Sequence, residues 1–138
     1  LSHLITNVPG SSDYYLGSVT AYSNDIKTKL VGVKAATLTK YGAVSAQVAE
    51  EMARGGRKVL AVDICLSDTG IAGPGGATPG KPVGLFYIGL SHPSAALRTS
   101  QGGTYSQKHV FTGDREQNKC SAAEAALGWL KEYLTDLK

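Results

Sequence analysis

The chain has 138 residues, 42% of them apolar and 18% charged, with a formal net charge of +3. That length fits one domain able to bury roughly 68–70% of its unfolded surface, and the composition excludes a disordered chain. The small positive excess modestly favours an anionic small molecule, or reflects ordinary surface solvation, and is too weak to argue for direct nucleic-acid binding.

Leu1, Leu4 and Ile5 show helical spacing, as at the end of an apolar-faced helix stopped by Pro9-Gly10. A chain that opens partway along a helix, without Met, reads as a fragment. Tyr14 to Tyr22 alternates and is rich in β-formers, which predicts a strand. Ser23-Asn24-Asp25 supplies N-cap chemistry for a short helix over Ile26 to Val31, closed by Gly32. Ala35 to Tyr41 predicts another short helix, with Gly42 behind it.

Ser45 starts a longer helix with Val48, Ala49 and Met52 on one face and Gln47, Glu50, Glu51 and Arg54 opposite. Gly55-Gly56 ends it, or Arg57 extends its last turn. Leu60 to Leu66 predicts a buried strand with Asp63 as its polar exception. Val83 to Leu90 and Thr104 to Phe111 predict two more strands. Asp114 and Gln117 form a capping box for a final helix lined by Ala122, Ala126, Leu130 and Leu134. This order predicts one domain over residues 1–138, of the α/β or α+β class, with helices packed on a mixed sheet.

No apolar stretch approaches the roughly 20 residues that span a bilayer. No signal-peptide pattern is present either. Cys65 and Cys120 read as packed thiols with no Cys-x-x-Cys pair. His3, His92 and His109 show no metal-ligand spacing.

Three segments carry candidate chemistry. Thr69-Gly70-Ile71-Ala72-Gly73-Pro74-Gly75-Gly76 follows a strand, and its glycines let backbone N–H groups approach an anion. A structural turn is the other reading. Gly75 to Lys81 matches a P-loop as far as the lysine, but Pro82 replaces the Mg²⁺-holding hydroxyl, which disfavours a kinase. Lys27 falls in the first turn of a helix, just after Tyr22. A cation there opposes the helix dipole, at a cost of about 0.3–1 kcal/mol, and its pKa is lowered. Such a lysine is a candidate general base toward a hydroxyl, with the Tyr22 phenol relaying or orienting the proton; a solvated lysine beside a packed tyrosine is the alternative. Gly113-Asp114-Arg115 is either a phosphate or carboxylate site at a helix N-terminus or plain capping. No Gly-x-Ser-x-Gly or Ser-x-x-Lys pattern marks a nucleophile; Ser11, Ser12, Ser23, Ser45 and Ser67 all read as turn, cap or strand residues.

Taken together, Pro9-Gly10-Ser11-Ser12, Tyr22-Ser23-Asn24 with Lys27, Gly42-Ala43-Val44-Ser45, the Thr69–Gly76 loop, Lys81-Pro82-Val83-Gly84 and Gly113-Asp114-Arg115 resemble the CinA C-terminal family in order and spacing. The resemblance implies a three-layer α/β/α fold and, in active members, deamidation of nicotinamide mononucleotide to nicotinate mononucleotide and ammonia. It implies a serine nucleophile assisted by a tyrosine and a lysine, which fall on Tyr22 and Lys27. The family's serine stretch, Ala-Glu-Ser-Cys-Thr-Gly-Gly, precedes the helix seen at Leu1, so the nucleophile is expected upstream, with a first strand and most of the first helix. Substrate contacts are expected from Thr69, Gly70, Ile71, Ala72, Gly73, Gly75 and Gly76, for the ribose-phosphate or an oxyanion, and from Arg115 for the phosphate. The resemblance further implies a pyridine nucleotide substrate, no cofactor or metal, a cytoplasmic location and a homodimer or higher homo-oligomer. A non-catalytic binding or regulatory module of a competence- and damage-associated protein is the alternative.

Overall fold

The computed structural model describes residues 1–93 and 103–136. Its helices are α1 (Ser2–Thr6), α2 (Asn24–Val31), α3 (Ala35–Tyr41), α4 (Ala46–Leu60) and α5 (Arg115–Asp136). Its strands are β1 (Cys65–Gly70), β2 (Leu85–Ser91) and β3 (Thr104–Val110), which form an antiparallel meander in the order β1-β2-β3.

The register sorts the sheet's side chains into two faces. Ser67, Gly89 and Ser106 stand opposite one another, as do Asp68, Ile88 and Gln107 on the other face. Helix α4 lies on the first face. Ser67 Oγ donates to Ala49 O at 2.6 Å, Ser106 Oγ donates to Glu50 Oε1 at 2.8 Å, and Arg57 Nε donates to Ser91 Oγ at 3.2 Å. Helix α5 covers the second face, where Tyr133 packs on His92 with ring centroids 5.1 Å apart. This is a three-layer α/β/α arrangement, as expected. Ala21, Val31, Val33 and Val48 form a buried cluster between α2, α4 and the segment before α2.

Local chemistry accounts for most boundaries. Ser23 accepts from Ile26 N at 3.2 Å to cap α2, and Gly32 ends that helix at φ 68°, where glycine has no Cβ penalty. Ser45 caps α4 in the same way through Val48 N. Asp114 and Gln117 form the expected reciprocal box, each side chain accepting from the other's backbone N–H at 2.9 Å.

Several expectations are corrected. Tyr14 to Tyr22 keeps the alternating exposure of a strand but joins no ladder among the described residues, so the sheet is antiparallel where a mixed one was expected. Helix α4 runs through Gly55-Gly56 to Leu60. These glycines are contact points: a Cβ on Gly55 would overlap the Val31 carbonyl of α2, and one on Gly56 would press on Cys65 Sγ. The extra helical turn pushes the following strand from Leu60–Leu66 to Cys65–Gly70. Glu51, expected to face solvent, accepts from Lys34 N and from Thr37 Oγ1, both at 2.8 Å, and so fixes the start of α3. Leu134 is exposed and Tyr133 takes its place against the sheet, while Cys120 lies at the surface.

Candidate functional site

The turn that joins the extended segment to α2 places Lys27. Its side chain is 7% exposed, and Nζ donates to Ala21 O at 2.9 Å and Tyr22 O at 3.1 Å. Burial pushes its pKa down, and the Asp68 carboxylate partly opposes that effect. The lowered pKa agrees with expectation, but desolvation is its leading cause where the helix dipole was expected. A neutral amine has two N–H bonds and one lone pair. The two carbonyls can take both N–H bonds, which leaves the lone pair to accept a proton.

Tyr22 turns the other way. Its ring is 81% exposed, and its hydroxyl accepts from an Arg115 guanidinium nitrogen at 3.5 Å. The second terminal nitrogen of Arg115 donates to Gly73 O at 2.8 Å. Arg115 therefore joins the phenol to the glycine-rich loop from the first position of α5. Around this junction Ala72, Gly73, Pro74, Val83, Asp114 and Arg115 line an open cleft of about 470 Å³.

Asn118, one turn into α5 and fully buried, anchors the loop from beneath. Its Nδ2 donates to Ala72 O at 3.0 Å and Gly113 O at 2.8 Å, and its Oδ1 accepts from Gly113 N at 2.9 Å. The carbonyls of Ala72 and Gly73 thus point into α5. Among the described residues the N–H groups of Ala72, Gly73, Gly75 and Gly76 donate to no protein acceptor. A run of unpaired N–H groups is the arrangement that binds anions.

The other expected residues play supporting parts. Thr69 Oγ1 donates to Ala43 O at 2.8 Å, tying β1 to the loop before α4. Gly70 lets the Phe86 ring close over the strand, where a Cβ would overlap it. Ile71 continues the ladder, donating to Leu85 O and accepting from Gly84 N. Each serine considered has a structural task or an exposed turn position. Ser23 and Ser45 cap helices, Ser67 bonds α4, and Ser2 Oγ bonds Tyr15 Oη at 2.6 Å.

Two residues escaped the sequence reading. Asp68 lies between Ser67 and Thr69 in β1, with no motif to mark it, and its field at Lys27 is felt only in three dimensions. Asn118 carries one available signal, being a polar residue on the stripe it shares with Ala122 and Ala126. Among the described residues no group of three His, Cys, Asp or Glu side chains is placed to hold a metal ion. Among the same residues no helix is long and apolar enough to cross a membrane.

Known proteins share this frame. The CinA-like protein of Thermotoga sp. strain RQ2 is 44% identical over 135 residues, which cover 97% of this chain and 31% of the relative. That of Syntrophomonas wolfei is 47% identical over 135 residues, covering 97% of this chain and 30% of its own length. The chain thus spans about a third of these curated relatives. The crystal structure of competence/damage inducible protein CihA from Agrobacterium tumefaciens superposes with a TM-score of 0.87 at 30% identity, over 95% of this chain and 76% of that one. The competence damage-inducible protein A from Klebsiella pneumoniae gives 0.87 at 26% identity, over 99% and 80%. The CinA C-terminal domain profile matches residues 1–134, and with those relatives it shows that the chain belongs to the CinA C-terminal domain family.

Proposed function

We propose that this domain is the amidase unit of a nicotinamide-nucleotide amidase, hydrolysing nicotinamide mononucleotide to nicotinate mononucleotide and ammonia. The observation that carries the reading is Lys27, a buried amine with both N–H directions fixed on the carbonyls of Ala21 and Tyr22, where the Tyr22 phenol meets Arg115 of a cleft with unpaired backbone donors.

The nucleophile is a serine from a segment ahead of Leu1. Lys27 takes the hydroxyl proton as the serine oxygen attacks the carboxamide carbon. The glycine-loop N–H groups receive the negative charge that develops on the carbonyl oxygen, a contribution of roughly 2.7–4 kcal/mol per donor in comparable sites. Protonated Lys27 then passes its proton to the leaving nitrogen, and ammonia departs. Water, activated by the same amine, cleaves the resulting ester. Arg115 lines the cleft and is the residue suited to the phosphate, with the Tyr22 hydroxyl beside it, and it has N–H donors beyond the two used on Tyr22 and Gly73. No cofactor enters this scheme. A cytoplasmic homo-oligomer is part of the same proposal.

Ammonia release from nicotinamide mononucleotide, measured alongside the intact mass of the sample, tests the reading. Release by protein heavier than the 138-residue chain supports an upstream serine; no release by such protein favours the non-catalytic binding module. In an active sample, Arg115→Ala is expected to raise KM about tenfold or more, the loss of one charge-assisted hydrogen bond to phosphate, with a smaller effect on kcat. An unchanged KM removes Arg115 from substrate binding.

A further inference from the structure

Three consecutive carbonyls in the turn between α3 and α4 each accept from a side chain. Tyr41 O takes Lys81 Nζ, Gly42 O takes Ser45 Oγ at 2.9 Å, and Ala43 O takes Thr69 Oγ1 at 2.8 Å. Ser45 belongs to the turn itself. Thr69 and Lys81 belong to the glycine-rich loop, one just before its base and the other on its returning limb. The base is closed by Ile71 N on Leu85 O at 2.9 Å and Gly84 N on Ile71 O at 2.7 Å. The returning limb is braced by a reciprocal backbone pair, Thr78 N to Lys81 O at 3.0 Å and Lys81 N to Thr78 O at 2.9 Å. One turn therefore grips both limbs of the loop. Helix α5 holds the outgoing limb as well, through Asn118 on Ala72 O and Arg115 on Gly73 O. The run from Gly73 to Gly76 is suspended between these anchors and Lys81.

The Lys81 contact has a shaped seat. Tyr41 is the last residue of α3, where orphan carbonyls and the negative end of the helix dipole favour a cation. Gly42 follows at φ 75°, and a Cβ there would stand 2.9 Å from Lys81 Nζ, so the ammonium rests where only glycine leaves room. Gly42-Ala43-Val44-Ser45 and Lys81-Pro82-Val83-Gly84, which are far apart in sequence, are two halves of one joint. We propose that Lys81 is a positioning residue: latched on the α3–α4 turn together with Thr69, it holds the glycine-rich loop in the shape that presents the N–H groups of Gly73, Gly75 and Gly76 to an anion. This deepens the amidase reading and rests on it for its catalytic meaning. Backbone donors stabilise charge best when they are already aimed, because ordering a loose loop at the moment of binding costs conformational entropy. Releasing either limb should therefore weaken the anion site without touching the donors themselves.

Titration of the chain with inorganic phosphate, followed by the amide NMR signals of Gly73, Gly75 and Gly76, tests the latch. In the wild type these signals should shift and saturate. Lys81→Met should weaken phosphate binding about fivefold or more, the usual size of coupling between a site and its support. Thr69→Val removes the second grip with no change of charge and should weaken binding in the same direction. Melting curves accompany each titration. If Thr69→Val does not fold, Gly42→Ala takes its place, since it blocks the seat and leaves Lys81 its charge. In an active sample the variants should lower kcat with KM little changed, because the proposed loop donors act on charge that develops in the transition state. Unchanged phosphate affinity in Lys81→Met overturns the inference, as do wild-type loop signals that ignore phosphate. Loss in Lys81→Met alone, with the charge-preserving variant at wild-type affinity, overturns it too, because Lys81 would then act on the anion by its own charge. The two proposals fail separately. Weakened phosphate binding in both variants with no ammonia release from the wild type leaves the latch standing and removes the amidase; ammonia release with phosphate affinity and kcat unmoved in both variants does the reverse.

Discussion

Lys27→Met is expected to lower ammonia release by roughly 10²–10⁴-fold, the usual loss when a general base is removed, while the domain stays folded. Methionine keeps an unbranched apolar stem at this buried position and removes the amine. The loss should fall on kcat, because the proposed role of Lys27 is on the serine proton and the cleft proposed for the nucleotide is lined by other residues. Stability should move the other way with pH. Burial holds the Lys27 pKa below its ordinary value of 10.5, so between the two values the unfolded chain carries the proton more often than the folded one. Stability of the wild type therefore rises as pH climbs through the folded midpoint toward 10.5, and the variant lacks that rise. Thermal melts at neutral and alkaline pH should show the wild type gaining on Lys27→Met as pH increases. A constant gap would mean that Lys27 titrates as an ordinary surface lysine, and the proposed base would lose its physical footing.

Elements governed by local rules were legible in the sequence, and those governed by contacts were not. Ser23, Ser45 and Asp114 announced their helices because a side-chain acceptor followed by an apolar period has one economical use. Gly32 marked a true helix end, with its positive φ, whereas Gly55-Gly56 looked the same and was not one. The difference lies in Val31 and Cys65, which press against the helix from other parts of the chain. Tyr14 to Tyr22 shows the limit of alternation: it records which side of an extended segment meets the core, here Val19 and Ala21, and says nothing about a ladder partner. The candidate site divides in the same way. Tyr22, Lys27, the loop and Arg115 stood in recognisable motifs. Asp68 and Asn118 matter only through what the fold brings beside them.

Asn118→Leu is expected to cost about 3–5 kcal/mol, the largest stability loss of any single change considered. Leucine matches asparagine atom for atom in branching, with somewhat bulkier tips, so the shape at this position is largely kept. What is lost is an arrangement in which one carboxamide satisfies three backbone groups, the N–H and C=O of Gly113 and the C=O of Ala72, in a position with no exposure to water. Each group left unpaired there costs about 1–3 kcal/mol. Against a total stability of about 5–15 kcal/mol, such a loss should lower Tm by roughly 10 °C or more. Function should fall with it, because Asn118 fixes Ala72 and with it the loop whose neighbouring carbonyl, on Gly73, holds Arg115 against Tyr22. Asn118→Asp separates this account from a packing defect. An ionised carboxylate keeps the acceptor for Gly113 N but turns a negative oxygen on two carbonyls, so its folded pKa must rise. A raised carboxyl pKa means that the folded state binds the proton more readily than the unfolded one, and stability is lost as pH increases through that window. Asn118→Asp should therefore recover stability relative to Asn118→Leu on acidification toward pH ~4, since a protonated carboxyl can again donate to one of the two carbonyls. A melting difference between the two variants that ignores pH would mean that the carboxamide's donors are dispensable and that the glycine loop is held in place by other contacts.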